Sequence, residues 1–182
     1  MQQKGTAIKG LLAAIARLHG ASGLQAVLGA LSPDVRAQVA GVVLPVQWYD
    51  VRLLAAIHVA VRDTIGKGDF HVSHALGREA ARLDFTGIYR VVLRAVQYDT
   101  IWDRVERVWG HYNSQGEGRW LDRSAGSATG IVTGVEDFNE GQWHSIAGRC
   151  EQTLLMAGAK GASVEATDMT PTQAKFVAMY LE

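Results

Sequence analysis

Two histidines three residues apart, His71 and His74, would share one face of a helix, with Glu79 a little further along it. A zinc or heme site needs more converging donors than this pair offers. Histidines near a helix start commonly serve as capping or surface groups. His111 beside Tyr112, and His144 beside Trp143, would change charge near neutral pH if half-buried. Cys150 is the sole cysteine, which leaves no disulfide within the chain and no Cys-based zinc site. It falls on one helical face with Trp143, Ile146, Ala147 and Leu154, the position of an inert core thiol. The run Gly126-Ser127-Ala128-Thr129-Gly130 places its serine one position early for a nucleophile elbow, and no G-x-x-x-x-G-K phosphate loop occurs. The expectation is therefore no catalytic residue, no metal site and no enzyme.

Binding has better candidates. Trp48, Tyr49, Tyr89, Trp102, Trp109 and Tyr112 each combine apolar area with one polar handle, a combination common in pockets and also in cores. Arg78, Arg82, Arg90 and Arg94 form two i,i+4 pairs. From Arg78 to Arg123 there are 8 basic and 7 acidic residues, the balance of a salt-bridged face. Arg90 stays a candidate for a carboxylate or phosphate. The expected ligand is thus a small apolar or acidic molecule. The whole chain carries 18 basic and 18 acidic residues, so nothing global draws it to nucleic acid.

The elements that must position these groups can be read along the chain. Ile8, Leu11, Leu12, Ile15 and Leu18 recur at helical spacing, with Gly20 placed to end the helix. A second helix carries Leu24, Val27, Leu28 and Leu31, and Ser32-Pro33-Asp34 starts a third. Leu44 to Tyr49 reads as a connector. Asp50 caps a helix bearing Leu53, Leu54, Ile57, Val61 and Ile65, on which Tyr49 would pack as a staple. Gly66-Lys67-Gly68 breaks it, and further helical stretches run to Gln97 and then from Asp99 to Tyr112.

After Asn113 the period changes to two. Trp120 to Ser124 and Ile131 to Val135 read as a hairpin around Gly126-Ser127, with Ile131, Thr133 and Val135 on one side. Helical spacing returns from Gln142 to Leu154 and stops at Gly158. Ser163 to Thr167 and Lys175 to Leu181 then form a second hairpin about Thr170-Pro171. The predicted class is α+β: an N-terminal helical half of about six helices, 1–115, packed on a four-stranded antiparallel sheet of order β-β-α-β-β, 116–182, as one domain. The apolar windows Val39 to Val46 and Leu53 to Val61 fall short of the roughly 20 residues a spanning helix needs. No membrane span and a cytoplasmic location are expected.

Three stretches carry a family resemblance: Leu44-Pro45-Val46-Gln47-Trp48-Tyr49; Gly87-Ile88-Tyr89-Arg90 followed by Trp109-Gly110-His111-Tyr112; and Ala157 to Glu165. The chain resembles an uncharacterised domain family of myxobacteria and their deltaproteobacterial relatives. That family is similar to the superfamily of four-vinyl-reductase-type domains, heme–nitric oxide sensor domains and TRAPP subunits. The resemblance implies helices joined to a four-stranded antiparallel sheet with a crossover helix, a small molecule held between them, and often a dimer. The heme sensors carry Tyr-x-Ser-x-Arg on the heme propionates. Here Tyr49 leads to Val51 and Tyr98 to Thr100, and the last hairpin carries Thr167, Asp168, Met169 and Ala174 where four-vinyl-reductase-type domains usually place cysteines. No cofactor is therefore expected, heme included. The functional expectation is a non-enzymatic small-molecule-sensing or regulatory domain with a pocket between helices and sheet, lined by Trp48, Tyr49, Tyr89, Arg90, Trp102, Trp109 and Tyr112. Its partner would be a second copy or a regulatory protein. The alternative is a protein-interaction or dimerisation scaffold with a filled interior.

Overall fold

A computed structural model of the chain describes residues 1–84 and 105–181. Helix α1 runs Gly5–Ala30, α2 Pro33–Ala40, α3 Val51–Asp63, α4 Val72–Asp84, α5 Val105–Tyr112 and α6 Glu140–Met156. Gly20 interrupts α1 with φ 69°, a backbone that favours glycine, so the expected break is present as a kink between two packed segments. By length and composition α1 is long and apolar enough to cross a membrane. It is nonetheless bent at Gly20, and Ile8, Leu11, Ile15 and Val27 are buried within the protein. Ser32 and Pro33 start α2 as the sequence predicts, and the Asp50 carboxylate accepts the Arg52 backbone N–H at 2.9 Å to cap α3.

Strands β3 (Glu117–Ser124) and β4 (Ser127–Thr133) form one hairpin, β5 (Lys160–Thr167) and β6 (Ala174–Leu181) another. They join into one antiparallel sheet of order β3-β4-β6-β5, and α6 is the crossover between the two hairpins. The α+β class and the β-β-α-β-β order are thus as predicted. One feature differs and another is new. First, Gln2–Lys4 (β1) pairs antiparallel with Trp48–Asp50 (β2), so part of the expected connector is a strand. Each has only three residues, too few for a period-two signal. Second, the side of β4 that carries Ile131 and Thr133 is its outer one, and Ala128, Gly130 and Val132 turn inward. Gly130 must face in because the Trp120 ring lies across it from β3, where a side chain at residue 130 would meet the ring.

The helical half does not cover both faces of the sheet. It reaches the inner face through α6, which packs on α4 on one side and on β5 on the other. Val177, Met179 and Leu181 of β6 remain exposed on the outer face. One core cluster is aliphatic, with Ile8, Ile15, Leu54, Ile57, Val61 and Leu76 among α1, α3 and α4. The other lies under the sheet, where Trp109, Phe138, Trp143, Phe176 and Tyr180 sit over Ala128, Ala147, Ala162, Ala166 and Ala178.

Candidate functional site

Most buried polar groups collect around α6, where the helical half meets the sheet. Helix α6 starts in a capping box: Asn139 accepts the Gln142 N–H at 3.1 Å, and the Gln142 side chain accepts the Asn139 N–H at 3.0 Å. Glycines set how closely α4 and α6 cross. A β-carbon at Gly77 would collide with the Ser145 carbonyl, and one at Gly148 with the His74 carbonyl. No larger residue fits either position while the helices keep this spacing.

Polar pins hold the crossing. The buried Glu151 carboxylate accepts the Val164 N–H at 3.1 Å and faces Arg78 Nη1 at 3.0 Å and His74 Nε2 at 3.4 Å, tying α6 to both β5 and α4. A buried carboxylate is tolerated where charges and donors surround it in this way. His58 of α3, 1% exposed, pairs through Nδ1 with the Ser73 hydroxyl at 2.8 Å. Burial, then the nearby Arg149 charge and His144, hold its imidazole neutral down to about pH 3. His71 lies 5.3 Å from His144 in a stacked arrangement and 5.7 Å from His74, ring centre to ring centre. Burial and then His71 lower the His144 pKa.

A chain of buried amides links the first strand to α6. Gln3 Nε2 donates to Asn113 Oδ1 at 2.8 Å, and Gln142 Nε2 donates to Gln3 Oε1 at 3.4 Å. Arg149 Nη1 meets Asp84 Oδ2 at 2.7 Å, with both side chains about a quarter exposed, and its other nitrogen lies flat against Gly10 of α1. Tyr112 senses this pair: burial raises its phenol pKa, Arg149 opposes the rise and Asp84 adds to it. Arg149 is thus half-buried at the meeting of α1, α4 and α6, a placement that its sequence neighbour Cys150 gave no reason to expect.

The residues chosen from sequence fall into two groups on either side of β1. Trp48 and Tyr49 lie on β2, and Trp109 and Tyr112 on α5, whose end is bridged to Gln3 through Asn113. Lys4 Nζ stands 5.1 Å from the Trp48 ring centre. The Tyr49 hydroxyl accepts the Leu44 N–H at 2.9 Å, and Trp109 Nε1 donates to the Gln115 carbonyl at 2.9 Å. Tyr89, Arg90 and Trp102 lie outside the described residues. Among the described residues a groove of about 320 Å³ opens at the surface, bounded by Lys9, Leu12, Val39, Gly41, Val42 and Val43. Among the described residues no three His, Cys, Asp or Glu side chains are arranged to hold a metal ion. The Cys150 thiol is pushed up to about 11 by burial and is no nucleophile at neutral pH.

Sequence comparison is silent: no family model and no curated protein matches the chain. Solved structures are not. An oxygen-binding H-NOX domain related to soluble guanylate cyclases, as its oxygen complex, superposes with a TM-score of 0.70 at 13% identity, covering 98% of this chain and 95% of that one. The fold is that of H-NOX domains. The Fe(II) unliganded H-NOX protein from K. algicida matches with a TM-score of 0.73, also at 13% identity, over 98% of this chain and 97% of its own. A third solved structure, concerned with heme redox potential and protein-induced porphyrin distortion, gives a TM-score of 0.70 at 13% identity over 98% of this chain and 95% of its own.

The expectation that the chain takes no cofactor is corrected by this comparison. It rested on a missing Tyr-x-Ser-x-Arg run, which removes one set of propionate contacts and leaves the frame intact. The solved structures that superpose on this chain are described with Fe(II), bound oxygen and heme. Heme needs an axial donor, a cation for its carboxylates and a slot. Of these the described residues offer a cation in Arg149, whose charge Asp84 already pairs at 2.7 Å. His58 is held by Ser73 and crowded by Gly141, while His71, His74 and His144 face one another. The described residues therefore meet part of the requirement, and no axial donor is assigned among them.

Proposed function

We propose that the chain is a non-enzymatic sensing or regulatory domain on the H-NOX fold, one unit over 1–182, that takes a small molecule where α5 and α6 meet the sheet. The observation that carries this reading is the fold likeness over 98% of the chain. Heme is the cofactor that the likeness nominates; when bound, it would supply a gas-binding iron. This chain's own residues would do the rest. Arg149, already half-desolvated, would hold a carboxylate, and Tyr112 would place an apolar ring with one hydroxyl beside it. Tyr89, Arg90 and Trp102 belong to the same proposed lining, as does Trp109, whereas Trp48 and Tyr49 stand apart from it on β2. Helix α6, pinned to α4 and β5 by Glu151, is the element through which occupancy would reach the sheet. Membership of the myxobacterial family, a cytoplasmic location and a protein partner or second copy complete the reading.

The test is expression with heme supplied, followed by absorbance and native mass spectrometry. A Soret band with one heme retained per chain, weakened in Arg149→Ala, supports the proposal. A clean apo mass with no Soret band after reconstitution removes heme. If no other small molecule is retained in protein from its own host, the interaction scaffold replaces the sensor.

A further inference from the structure

The connector between α2 and β2 breaks the usual rule that irregular surface segments are polar. Its exposed side chains are apolar apart from Gln47: Val42 is 87% exposed, Leu44 49%, Val46 77% and Trp48 36%, and Pro45 is exposed beside them. Val43, between the first two, turns inward and is buried. The backbone is fastened, since the Thr6 N–H donates to the Pro45 carbonyl at 3.0 Å and the Gly5 N–H to the Gln47 carbonyl at 2.9 Å. The stripe is thus held outward rather than waiting to collapse onto the core. Cations flank it. Lys4 stands over the Trp48 ring, and Lys9 borders the groove that also contains Val42. The nearest acid of this region, Asp50, is neutralised by Arg52 at 2.5 Å.

We propose that this stripe docks on an anionic lipid surface, with Val42, Leu44, Val46 and Trp48 entering the headgroup region and Lys4 and Lys9 meeting lipid phosphates. A protein interface of ordinary stability buries about 800 Å² a side from roughly 20–30 residues, far more than four protruding side chains provide. Shallow insertion in a bilayer needs only a few apolar groups with cations beside them. Tryptophan is the aromatic of that interface, and lysine stems lie along it with their charges outward. The zero net charge of the chain does not oppose this, because attraction to an anionic surface is local, within a Debye length of about 8 Å at physiological salt.

Co-sedimentation of the full chain with vesicles tests the proposal, comparing equal parts phosphatidylglycerol and phosphatidylcholine with phosphatidylcholine alone. Binding is expected to the anionic vesicles and to be weaker by about five-fold for each of Lys4→Gln and Lys9→Gln, near the contribution of one surface lysine. The exposed pair Val42→Asp and Val46→Asp should lower partitioning at least ten-fold with an unchanged circular dichroism spectrum. No sedimentation at low salt, equal binding to neutral vesicles, or an unaffected Asp double variant would overturn it. So would loss of vesicle binding to self-association, read by sedimentation velocity, since the stripe would then serve a second copy.

Discussion

The two cores are built differently. Between α1, α3 and α4 the filling is branched aliphatic, and position is set by helical ridges with one buried polar pin, His58 to Ser73. Beneath the sheet the filling is aromatic rings over alanines, and two rings are also fastened: Trp109 to the Gln115 carbonyl and Trp143 to that of Thr170 at 2.8 Å. An aliphatic core tolerates repacking, whereas a ring held by its N–H has one orientation. The sheet side is therefore the stiffer of the two, and the glycine crossing of α4 on α6 transmits that stiffness to the helices.

The largest expected effect tests this contrast directly. Trp143→Ala removes a fully buried ring and its hydrogen bond, and should cost about 4 kcal/mol in chemical denaturation. Gly148→Val, which forces α6 away from the His74 carbonyl, should cost about 3 kcal/mol. It should also broaden the thermal transition if the two cores come apart. A Gly148→Val chain as stable as the parent would mean the crossing is not the link. Next is acid. The His58 pKa is lower folded than unfolded, so the unfolded chain binds a proton that the native one refuses. Stability is full above the ordinary histidine range and falls as pH drops through it, by about 2 kcal/mol between pH 7 and pH 5 from this group. His58→Gln, able to keep a hydrogen bond to Ser73, should flatten that slope. Smallest is Ile15→Val in the aliphatic core, about 1 kcal/mol, and a loss as large as that of Trp143→Ala would erase the distinction.

The described helices were legible because their signals are local: Ser32-Pro33 and Asp50 at starts, Gly20 at a break, and apolar spacing between; the helical stretches expected between 85 and 104 lie outside the described residues. The hairpin order was legible for the same reason. The inward face of β4 was not, because ranking by hydrophobicity favours Ile131 over Gly130, while the Trp120 ring needs the space that glycine leaves. The site was hardest. His71, His74 and His144 come from two helical regions, and only topology brings them together, so the His71–His74 spacing showed part of a cluster; His58 pairs with Ser73. Glu151 gave no signal at all; its role exists only once β5 presents the Val164 N–H. The absent propionate motif was read correctly as a motif and too widely as an absence of cofactor.

The opening strand has a consequence for how the chain is made. Gln3 is bonded to Asn113, 110 residues away, and Gln142 to Gln3, 139 away. Gln3 thus leaves the ribosome well before either partner and can bond to them only once the intervening chain has emerged. Until then β1 has β2 as its neighbour and an unpaired side, and the amide chain cannot close. Closing so long a loop comes late in folding, since its entropy must be lost before its bonds form. The first strand of the sequence would then be among the last pieces locked, acting as the latch that follows assembly of both cores.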